Sequence, residues 1–371
     1  WDINYLYKMI IRKLALTNFK NHTHRDFEFS PQINCFVGNN GAGKTNILDA
    51  LHYLSMGKSF LTSSDFQNIR KAEENADFFR IVAEIENEDS ADVIRILLPK
   101  DSKKIIKKNE KTYERIADHI GYLPSVMISP YDSNLISDSG DSRRRFLDAM
   151  ISQTDHEYLF HLIQYQKTLQ QRNALLKSFS KNRFFDADAL EIYNEPLSRY
   201  GSAIFDKRKN FTERLNPTVQ DFYTILSGGR EKVAVRYESH LAAAPMLELL
   251  TSNLDKDRQL TYTSAGIHKD DLIFEMDGEL LKKFGSQGQQ KSFLISLKLA
   301  QIKRIRELTG KKPVLLLDDI FDKLDDSRVS QLIELINGEN FGQMFITDTH
   351  RERTESIVKR ISEESRIFSL E

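Results

Sequence analysis

One glycine-rich segment carries most of the chemistry that this sequence can be expected to perform. Ile33 to Val37 has the apolar pattern of a buried strand, and Gly38-Asn39-Asn40-Gly41-Ala42-Gly43-Lys44-Thr45 follows it directly. This spacing, GxxxxGK[ST], is that of the phosphate-binding P-loop. Its glycines let successive backbone N–H groups face one phosphate, and the following helix adds the positive end of its dipole. We expect Lys44 to reach the β- and γ-phosphates and the Thr45 hydroxyl to hold Mg²⁺.

A glycine turn that binds no ligand is the alternative interpretation of this segment. The apolar strand pattern before the turn argues against it, and so does the helical spacing of Ile47, Leu48 and Leu51 after the turn. The sequence context therefore favours a phosphate site.

Two carboxylates stand where a metal ligand and a base would be needed. The apolar strand pattern from Val314 to Leu317 ends in Asp318-Asp319. We expect Asp318 to hold Mg²⁺, and Asp319 to orient or deprotonate an attacking water molecule. Two solvated acids at the end of a strand are the alternative, which a P-loop in the same chain disfavours.

A third polar element opens a helix far along the chain. Ser286-Gln287-Gly288-Gln289 offers a hydroxyl, free backbone N–H groups and a helix N-terminus to an anion. Taken alone, this element is better explained as an ordinary N-cap beside a glycine turn. Its presence together with the other two motifs is what gives it interest.

The pattern along the chain predicts the elements that must position these motifs. Residues 10–37 and the segments that follow the P-loop helix alternate as antiparallel strands, whereas Ser142 to about Asn216 is helical and the last third is α/β. We therefore predict an α/β fold: a P-loop core sheet with an antiparallel β-subdomain and an inserted helical lobe. The ATPase lobe would comprise residues 9–137 and 259–371, and the inserted lobe residues 138–258.

Composition limits the remaining possibilities. The formal net charge of −1 gives no whole-molecule attraction to nucleic acid, so any such binding must come from local basic patches. Cys35 is the only cysteine, which excludes a disulfide within one chain and fits a reducing compartment. No apolar run approaches the roughly 20 residues that span a bilayer, and no leader pattern is present. We expect a cytoplasmic protein without a membrane association.

The three motifs, in this order, resemble those of the ABC/SMC class of ATPases. The resemblance implies that Ser286-Gln287-Gly288-Gln289 is the signature motif, which contacts the γ-phosphate of an ATP held by a partner subunit. Two ATP molecules would then be buried in a symmetric homodimer. Phe321 to Asp325 stands where that class carries its D-loop, and His350 where it carries a catalytic switch residue that senses the γ-phosphate.

The whole chain from Met9 onward resembles the RecF family of bacterial recombination mediators. The segments that carry this resemblance are Leu14–Asn21, Gly38–Asn46, Ser129–Asp132, Arg143–Asp148, Gly285–Gln290, and Leu315–Asp319 with Leu324-Asp325. The resemblance implies a weak, DNA-stimulated ATPase that uses ATP and Mg²⁺, with Asn46 and Lys20 as further nucleotide-binding residues. It implies binding to double-stranded DNA and single-strand/double-strand junctions. It also implies action with RecR and RecO to load RecA on gapped DNA, in recombinational repair, replication and the SOS response.

Some positions depart from the pattern of that family. Lys20 stands where arginine is usual, Asp319 where ABC proteins have glutamate, and no Q-loop glutamine is evident near Pro130-Tyr131-Asp132. Two other functions stay open at this level: a P-loop kinase, and a module that holds ATP without hydrolysing it. The signature element argues against the first, and the two carboxylates argue against the second.

Local basic clusters supply the candidates for DNA contact. They are Arg143, Arg144, Lys104 and Lys107. Each could neutralise a phosphate in a salt-sensitive manner that does not depend on DNA sequence, and a solvated charged face is an equally good explanation of any single cluster. No helix-turn-helix or RNP-type motif is present, so base readout is not indicated.

Overall fold

Two stretches of the chain form one structural unit, and the segment between them forms a second. The computed structural model describes residues 9–71, 76–87, 90–320, 329–331, 335, 341–362 and 364–370. Unit 1 contains the residues up to Asp132 and those from Leu297 onward, and unit 2 is Ser133–Ser296.

The described residues of unit 1 form mainly strands with a few helices, and those of unit 2 are mainly helical. The strands are β1 (Ile10–Phe19), β2 (His22–Glu28), β3 (Ile33–Gly38), β4 (Phe78–Glu86), β5 (Ala91–Pro99), β6 (Ile105–Lys108), β7 (Lys111–Thr112), β8 (Ser125–Ile128), β9 (Val233–Glu238), β10 (Asp271–Met276), β11 (Glu279–Leu280), β12 (Val314–Asp318), β13 (Met344–Asp348) and β14 (Ser365–Leu370). The α-helices are α1 (Lys44–Met56), α2 (Asn134–Ser137), α3 (Gly140–Ser152), α4 (His156–Asn182), α5 (Ala187–Ser227), α6 (Met246–Ser252), α7 (Leu254–Leu260), α8 (Leu281–Phe284), α9 (Gln287–Thr309) and α10 (Arg351–Ile361).

A five-stranded parallel sheet in unit 1 carries the P-loop and the Asp318-Asp319 pair at its carboxyl edge. Its order is β14-β3-β13-β12-β8, and every neighbouring pair is parallel. The residues of β8, β12 and β13 are all buried, as expected for a sheet covered on both faces. Register places Asp318 opposite Thr347, and Asp348 opposite Val37. The last residues of β3, β12 and β13 therefore lie side by side.

A six-stranded antiparallel sheet, with the order β2-β1-β4-β5-β6-β7, packs with the parallel sheet and α1 in one apolar core. Phe19 of β1, Leu54 of α1 and Phe345 of β13 all belong to this core. The predicted P-loop sheet and antiparallel β-subdomain are thus both present, and burial of their shared apolar surface fixes α1 against them.

Unit 2 combines long helices with a small antiparallel sheet in the order β11-β10-β9. Asp155 and Asp186 cap α4 and α5, because their side chains accept hydrogen bonds from the first-turn backbone N–H groups of Tyr158 and Ala189. Asn216 and Gln220 of α5 accept from the N–H groups of Val235 and Val233 on edge strand β9. One helix therefore satisfies backbone donors that the sheet leaves unpaired.

The structure departs from the sequence prediction in its boundaries. The second boundary between units follows Ser296, whereas the pattern placed it after residue 258. The reason is that β10 pairs along its whole length with β9, which ties this segment to the helical unit. Strand β14, which follows the last helix, was not predicted at all.

Two further observations concern the limits of the described residues. The predicted D-loop, Phe321 to Asp325, lies outside them. Within the described residues, no helix combines the length and the apolar character that crossing a bilayer requires.

Candidate nucleotide-binding site

The P-loop joins the end of β3 to the start of α1, and two of its glycines are required by close contacts. A Cβ at Gly43, where φ is +90°, would lie 2.4 Å from Asn21 Nδ2. A Cβ at Gly38 would lie 2.3 Å from the backbone oxygen of Leu370 in β14. Larger residues at either position would push the loop away from the sheet edge. The glycines therefore keep the loop and its N–H groups at the carboxyl end of the strands.

Lys44 places a buried positive charge inside this loop. Its side chain is 5% exposed, and its Nζ donates to the backbone oxygens of Gly38 at 2.7 Å and Asn39 at 3.0 Å. Among the residues that the structure describes, no carboxylate forms an ion pair with it. Neutral carbonyls satisfy its hydrogen bonds but do not cancel its charge. An anionic group at the loop would gain a charge-assisted contact from Lys44.

Asp318 meets the P-loop helix directly. Its Oδ1 accepts hydrogen bonds from Thr45 Oγ1 at 2.9 Å and from Thr347 Oγ1 at 2.8 Å. Burial raises the pKa of Asp318, while the two hydroxyl donors and the charge of Lys44 act in the opposite direction. Thr45 and Asp318, predicted from motifs 273 positions apart, are thus brought into contact.

The side chains of Thr45 and Asp318 fit a Mg²⁺ site that a bound nucleotide completes. Within the described residues, no group of three or more histidine, cysteine or acidic side chains could form a cage for a metal ion. One carboxylate and one hydroxyl in contact match the Mg²⁺ sites of nucleotide-binding proteins, in which phosphate oxygens and water complete the coordination. Thr45 and Asp318 are the residues that would hold the ion.

Asp319 and His350 lie at the same edge of the sheet. The backbone of Asp319 is left-handed, with φ of 44°, and its N–H donates to Thr347 Oγ1 at 3.0 Å. His350 is exposed at the start of α10, and its N–H donates to Asp348 Oδ1 at 2.9 Å. Both are therefore held by backbone hydrogen bonds to residues of β13. Their catalytic roles stay predictions.

Lys20 and Asn46 support the P-loop from its outer side. Lys20 Nζ lies 2.5 Å from Asp49 Oδ2, and both side chains of this ion pair are largely shielded from solvent. Asp49 of α1 also accepts from Ser59 Oγ and from the Phe60 N–H, each at 2.7 Å. Asn46 Nδ2 donates to Asn21 Oδ1. Lys20 therefore anchors α1, and its direct contact with a nucleotide stays a prediction.

The signature element is a helix cap in unit 2. The Ser286 N–H donates to Gln289 Oε1 at 2.7 Å, and the Gln289 N–H donates to Ser286 Oγ at 3.3 Å, which is the reciprocal pattern of a capping box. Gln289 Nε2 also donates to Glu231 Oε1. Ser286 and Gln287 are nevertheless exposed, and Ser286 Oγ keeps its own proton for donation. Ser286 can therefore cap the helix and still donate to an anion, and its contact with a nucleotide held by a partner subunit stays a prediction.

Three of the four basic candidates for DNA contact are already engaged within the chain. Arg143 donates from Nε and Nη2 to the two carboxylate oxygens of Asp271, at 2.7 and 2.8 Å. Arg144 donates to the backbone oxygen of Asp270 at 2.6 Å, and Lys104 lies 2.6 Å from Asp65 Oδ2. Lys107 forms no ion pair with the described residues.

The sequence pattern did not predict the contacts of Arg143 with Asp271 and of Arg144 with Asp270, because each pair is more than 100 positions apart. Binding of DNA by any of the four residues stays a prediction, and Lys107 is the most available of them.

Sequence reasoning missed two groups at this edge of the sheet. Thr347 contacts both predicted acids, and only its register opposite Asp318 could have identified it. Asp132, in the segment searched for a glutamine, instead forms a buried ion pair with Lys298, whose Nζ lies 2.7 Å from Asp132 Oδ1. Lys298 Nζ also donates to the backbone oxygen of Met127 in β8.

Comparison with known proteins agrees with this geometry. The model of the RecF/RecN/SMC N-terminal domain family matches residues 10–368. The DNA replication and repair protein RecF of Flavobacterium johnsoniae is 52% identical over 362 residues, which are 98% of this chain and 100% of that protein. The protein of the same name from Phocaeicola vulgatus is 44% identical over 365 residues, which are 98% of this chain and 97% of that protein.

Solved structures give the same result. The recombination mediator protein RecF of the RecFOR pathway, in a complex described as RecF-ATPrS, is 30% identical with a TM-score of 0.86, and the match covers 98% of this chain and 96% of that one. The Smc head domain of Pyrococcus furiosus is 18% identical with a TM-score of 0.54, covers 98% of this chain and 94% of that one, and shares the fold alone.

Proposed function

This chain belongs to the RecF family, within the proteins that carry the RecF/RecN/SMC N-terminal domain, and we propose that it is an ATP-dependent DNA-binding protein of recombinational repair. The observation that carries this proposal is the contact of Thr45 with Asp318 beside the buried charge of Lys44. Relatives named for DNA replication and repair, and a RecF structure with bound ATP, support it.

Each residue of the site has a defined task in this proposal. The P-loop N–H groups and Lys44 bind the phosphates, while Thr45 and Asp318 hold Mg²⁺. The ion, when bound, neutralises charge on the β- and γ-phosphate oxygens. Asp319 orients or deprotonates the water that attacks the γ-phosphate, and His350 contacts that phosphate. The phosphoanhydride bond breaks, and inorganic phosphate and ADP leave.

ATP binding also joins two copies of the chain in this proposal. Ser286 and its exposed neighbours would contact the nucleotide held by a second copy, giving a symmetric dimer that closes on DNA. Slow, DNA-stimulated hydrolysis would then release the dimer. Duplex DNA and single-strand/double-strand junctions are the proposed ligands, and RecR, RecO and the RecA pathway are the proposed partners. The site of action would be the cytoplasm.

Sedimentation with and without ATP and gapped DNA tests this proposal. We expect the wild-type chain to dimerise when ATP is added, and Ser286→Arg to stay monomeric because a bulky cation replaces the small hydroxyl. Ser252→Arg is the matched control, since Ser252 is an exposed serine in the same unit and should leave dimerisation intact. An unchanged ATP-dependent dimer in Ser286→Arg would refute the role of the signature element.

A second variant separates binding from hydrolysis. We expect Asp319→Asn to bind ATP and accumulate as the dimer, because the base is lost while Lys44, Thr45 and Asp318 are kept. Release of inorganic phosphate in the presence of gapped DNA measures the lost step. A wild-type chain that dimerises without releasing phosphate would be an ATP-holding module, and phosphoryl transfer to a nucleoside would indicate a kinase.

A further inference from the structure

Thr347 is buried between the two acidic residues of the nucleotide site. Its exposed fraction is 0%, and it lies opposite Asp318 in the pairing of β13 with β12. Thr347 Oγ1 donates to Asp318 Oδ1 at 2.8 Å and accepts from the Asp319 N–H at 3.0 Å. A single hydroxyl therefore holds a side-chain group of one acid and a backbone group of the next.

The contact with Asp319 bears on the backbone turn that follows β12. Asp319 has φ of 44°, in the left-handed region that residues with a Cβ disfavour. Such a conformation persists when the surrounding structure fixes it. The bond from the Asp319 N–H to Thr347 supplies a fixed partner on a neighbouring buried strand. Because the backbone turn sets where the carboxylate of Asp319 points, Thr347 contributes to the direction of that carboxylate.

The contact with Asp318 bears on the predicted metal ligand. Asp318 Oδ1 accepts from two hydroxyls that belong to different elements, Thr45 at the start of α1 and Thr347 in β13. Thr45 ties the carboxylate to the P-loop helix, while Thr347 ties it to the sheet. Partners of this kind orient the groups that bind a metal ion and tune their affinity for it.

We propose that Thr347 is a positioning residue for hydrolysis, which sets Asp318 toward Mg²⁺ and Asp319 toward the attacking water through one buried hydroxyl. This inference rests on the proposed function. A valine has nearly the shape of threonine but neither donates nor accepts a hydrogen bond. Removing the hydroxyl therefore leaves the packing and the strand pairing in place and removes only the hydrogen bonds from Thr347 Oγ1 to Asp318 and from the Asp319 N–H to Thr347.

Turnover by Thr347→Val, Thr347→Ser and Thr212→Val tests the inference. We expect kcat for ATP to fall about 10- to 100-fold in Thr347→Val, the usual cost of removing a partner that orients a metal ligand. Thr347→Ser keeps the hydroxyl and should restore turnover close to wild type. Thr212→Val is the matched control, because Thr212 is a buried threonine whose hydroxyl donates to the backbone oxygen of Arg208 in its own helix.

Affinity for a non-hydrolysable ATP analogue gives a readout that does not depend on turnover. In Thr347→Val, we expect unchanged affinity in EDTA and a smaller gain in affinity on addition of Mg²⁺. Should this variant fail to fold, Thr347→Cys replaces it, since a thiol is only a weak donor and acceptor.

Wild-type kcat in Thr347→Val would overturn the inference, as would a Thr347→Ser variant as impaired as Thr347→Val. If the wild-type chain itself releases no phosphate, the proposed function fails. In that case, the gain in ATP-analogue affinity on addition of Mg²⁺ still tests whether Thr347 orients Asp318.

Discussion

Two buried cations, one taken from each unit, have opposite kinds of partner. Lys44 in unit 1 is 5% exposed and donates to two backbone oxygens. Arg208 in unit 2 is 1% exposed and lies 2.8 Å from Asp148 Oδ1 and 2.8 Å from Asp270 Oδ2. Arg208 also donates to the backbone oxygen of Ile267. Among the residues that the structure describes, no carboxylate forms an ion pair with Lys44, whereas Arg208 pairs with two.

Burial of a charge is therefore a poor guide to function until its partners are known. The charge of a buried cation that pairs with two carboxylates is already neutralised, and removing either kind of partner leaves an uncompensated buried charge. A buried cation with neutral acceptors, beside backbone N–H groups, gains most from an added anion. Arg172 and Asp257, both with fully buried side chains and 2.7 Å apart, repeat the closed arrangement in unit 2. By this criterion, among these buried cations, Lys44 marks the site.

The largest effect is expected when the ion-pair network of Arg208 is broken. Arg208→Met should lower the free energy of unfolding by about 3 to 5 kcal/mol, because the buried carboxylate of Asp270 loses its cation. Denaturant unfolding measures the change. Lys209→Met is the matched control, since Lys209 is the adjacent exposed residue and should unfold like the wild-type chain. A variant as stable as wild type would remove the distinction drawn between the two units.

A smaller effect, of a different kind, is expected at the open cation. Lys44→Ala should weaken ATP binding about 10- to 100-fold, through loss of hydrogen bonds from a charged group, with little change in the free energy of unfolding. Titration calorimetry with ATP and a denaturant series on the same sample separate the two quantities. Wild-type affinity in this variant would exclude the P-loop assignment.

The smallest effect is expected in the pH dependence of stability, through His268 of unit 2. His268 donates a hydrogen bond from Nε2 to the backbone oxygen of Thr263, and its Nδ1 accepts one from the Tyr165 hydroxyl. Burial lowers the pKa of His268 to about 4, below the value near 6.5 expected in the unfolded chain. The neutral ring therefore contributes its full stability above pH 6.5, and this contribution is lost as pH falls toward 4.

Between pH 7 and pH 5, the loss should be about 1 to 2 kcal/mol, and His268→Gln should flatten the pH dependence of unfolding over that range. Unfolding curves at pH 7, 6 and 5 measure it. Equal pH slopes in the two proteins would show that His268 is protonated in the folded state as well.

The sequence predicted what depends on local spacing and missed what depends on register. The P-loop and the strand ending in Asp318 are local patterns, and their contact followed from the edge of the parallel sheet. Thr347 could not be identified, because its role arises from pairing with a strand 29 positions away. Strand β14 was not predicted because its sequence, SRIFSL, has no clean alternation of apolar and polar residues, and half of its residues are exposed. Asp271 and Asp270, which Arg143 and Arg144 bind, lie more than 120 positions away from them.

The ion pair of Asp132 with Lys298 joins the two points at which the chain leaves and re-enters unit 1. With those points held together, the intervening polypeptide behaves as a closed loop anchored at its base. The entropy of closing a loop grows only slowly with its length, so insertions and deletions in this polypeptide need not disturb the anchored ends. Evolution can thus lengthen, shorten or exchange it while the parallel sheet is inherited unchanged.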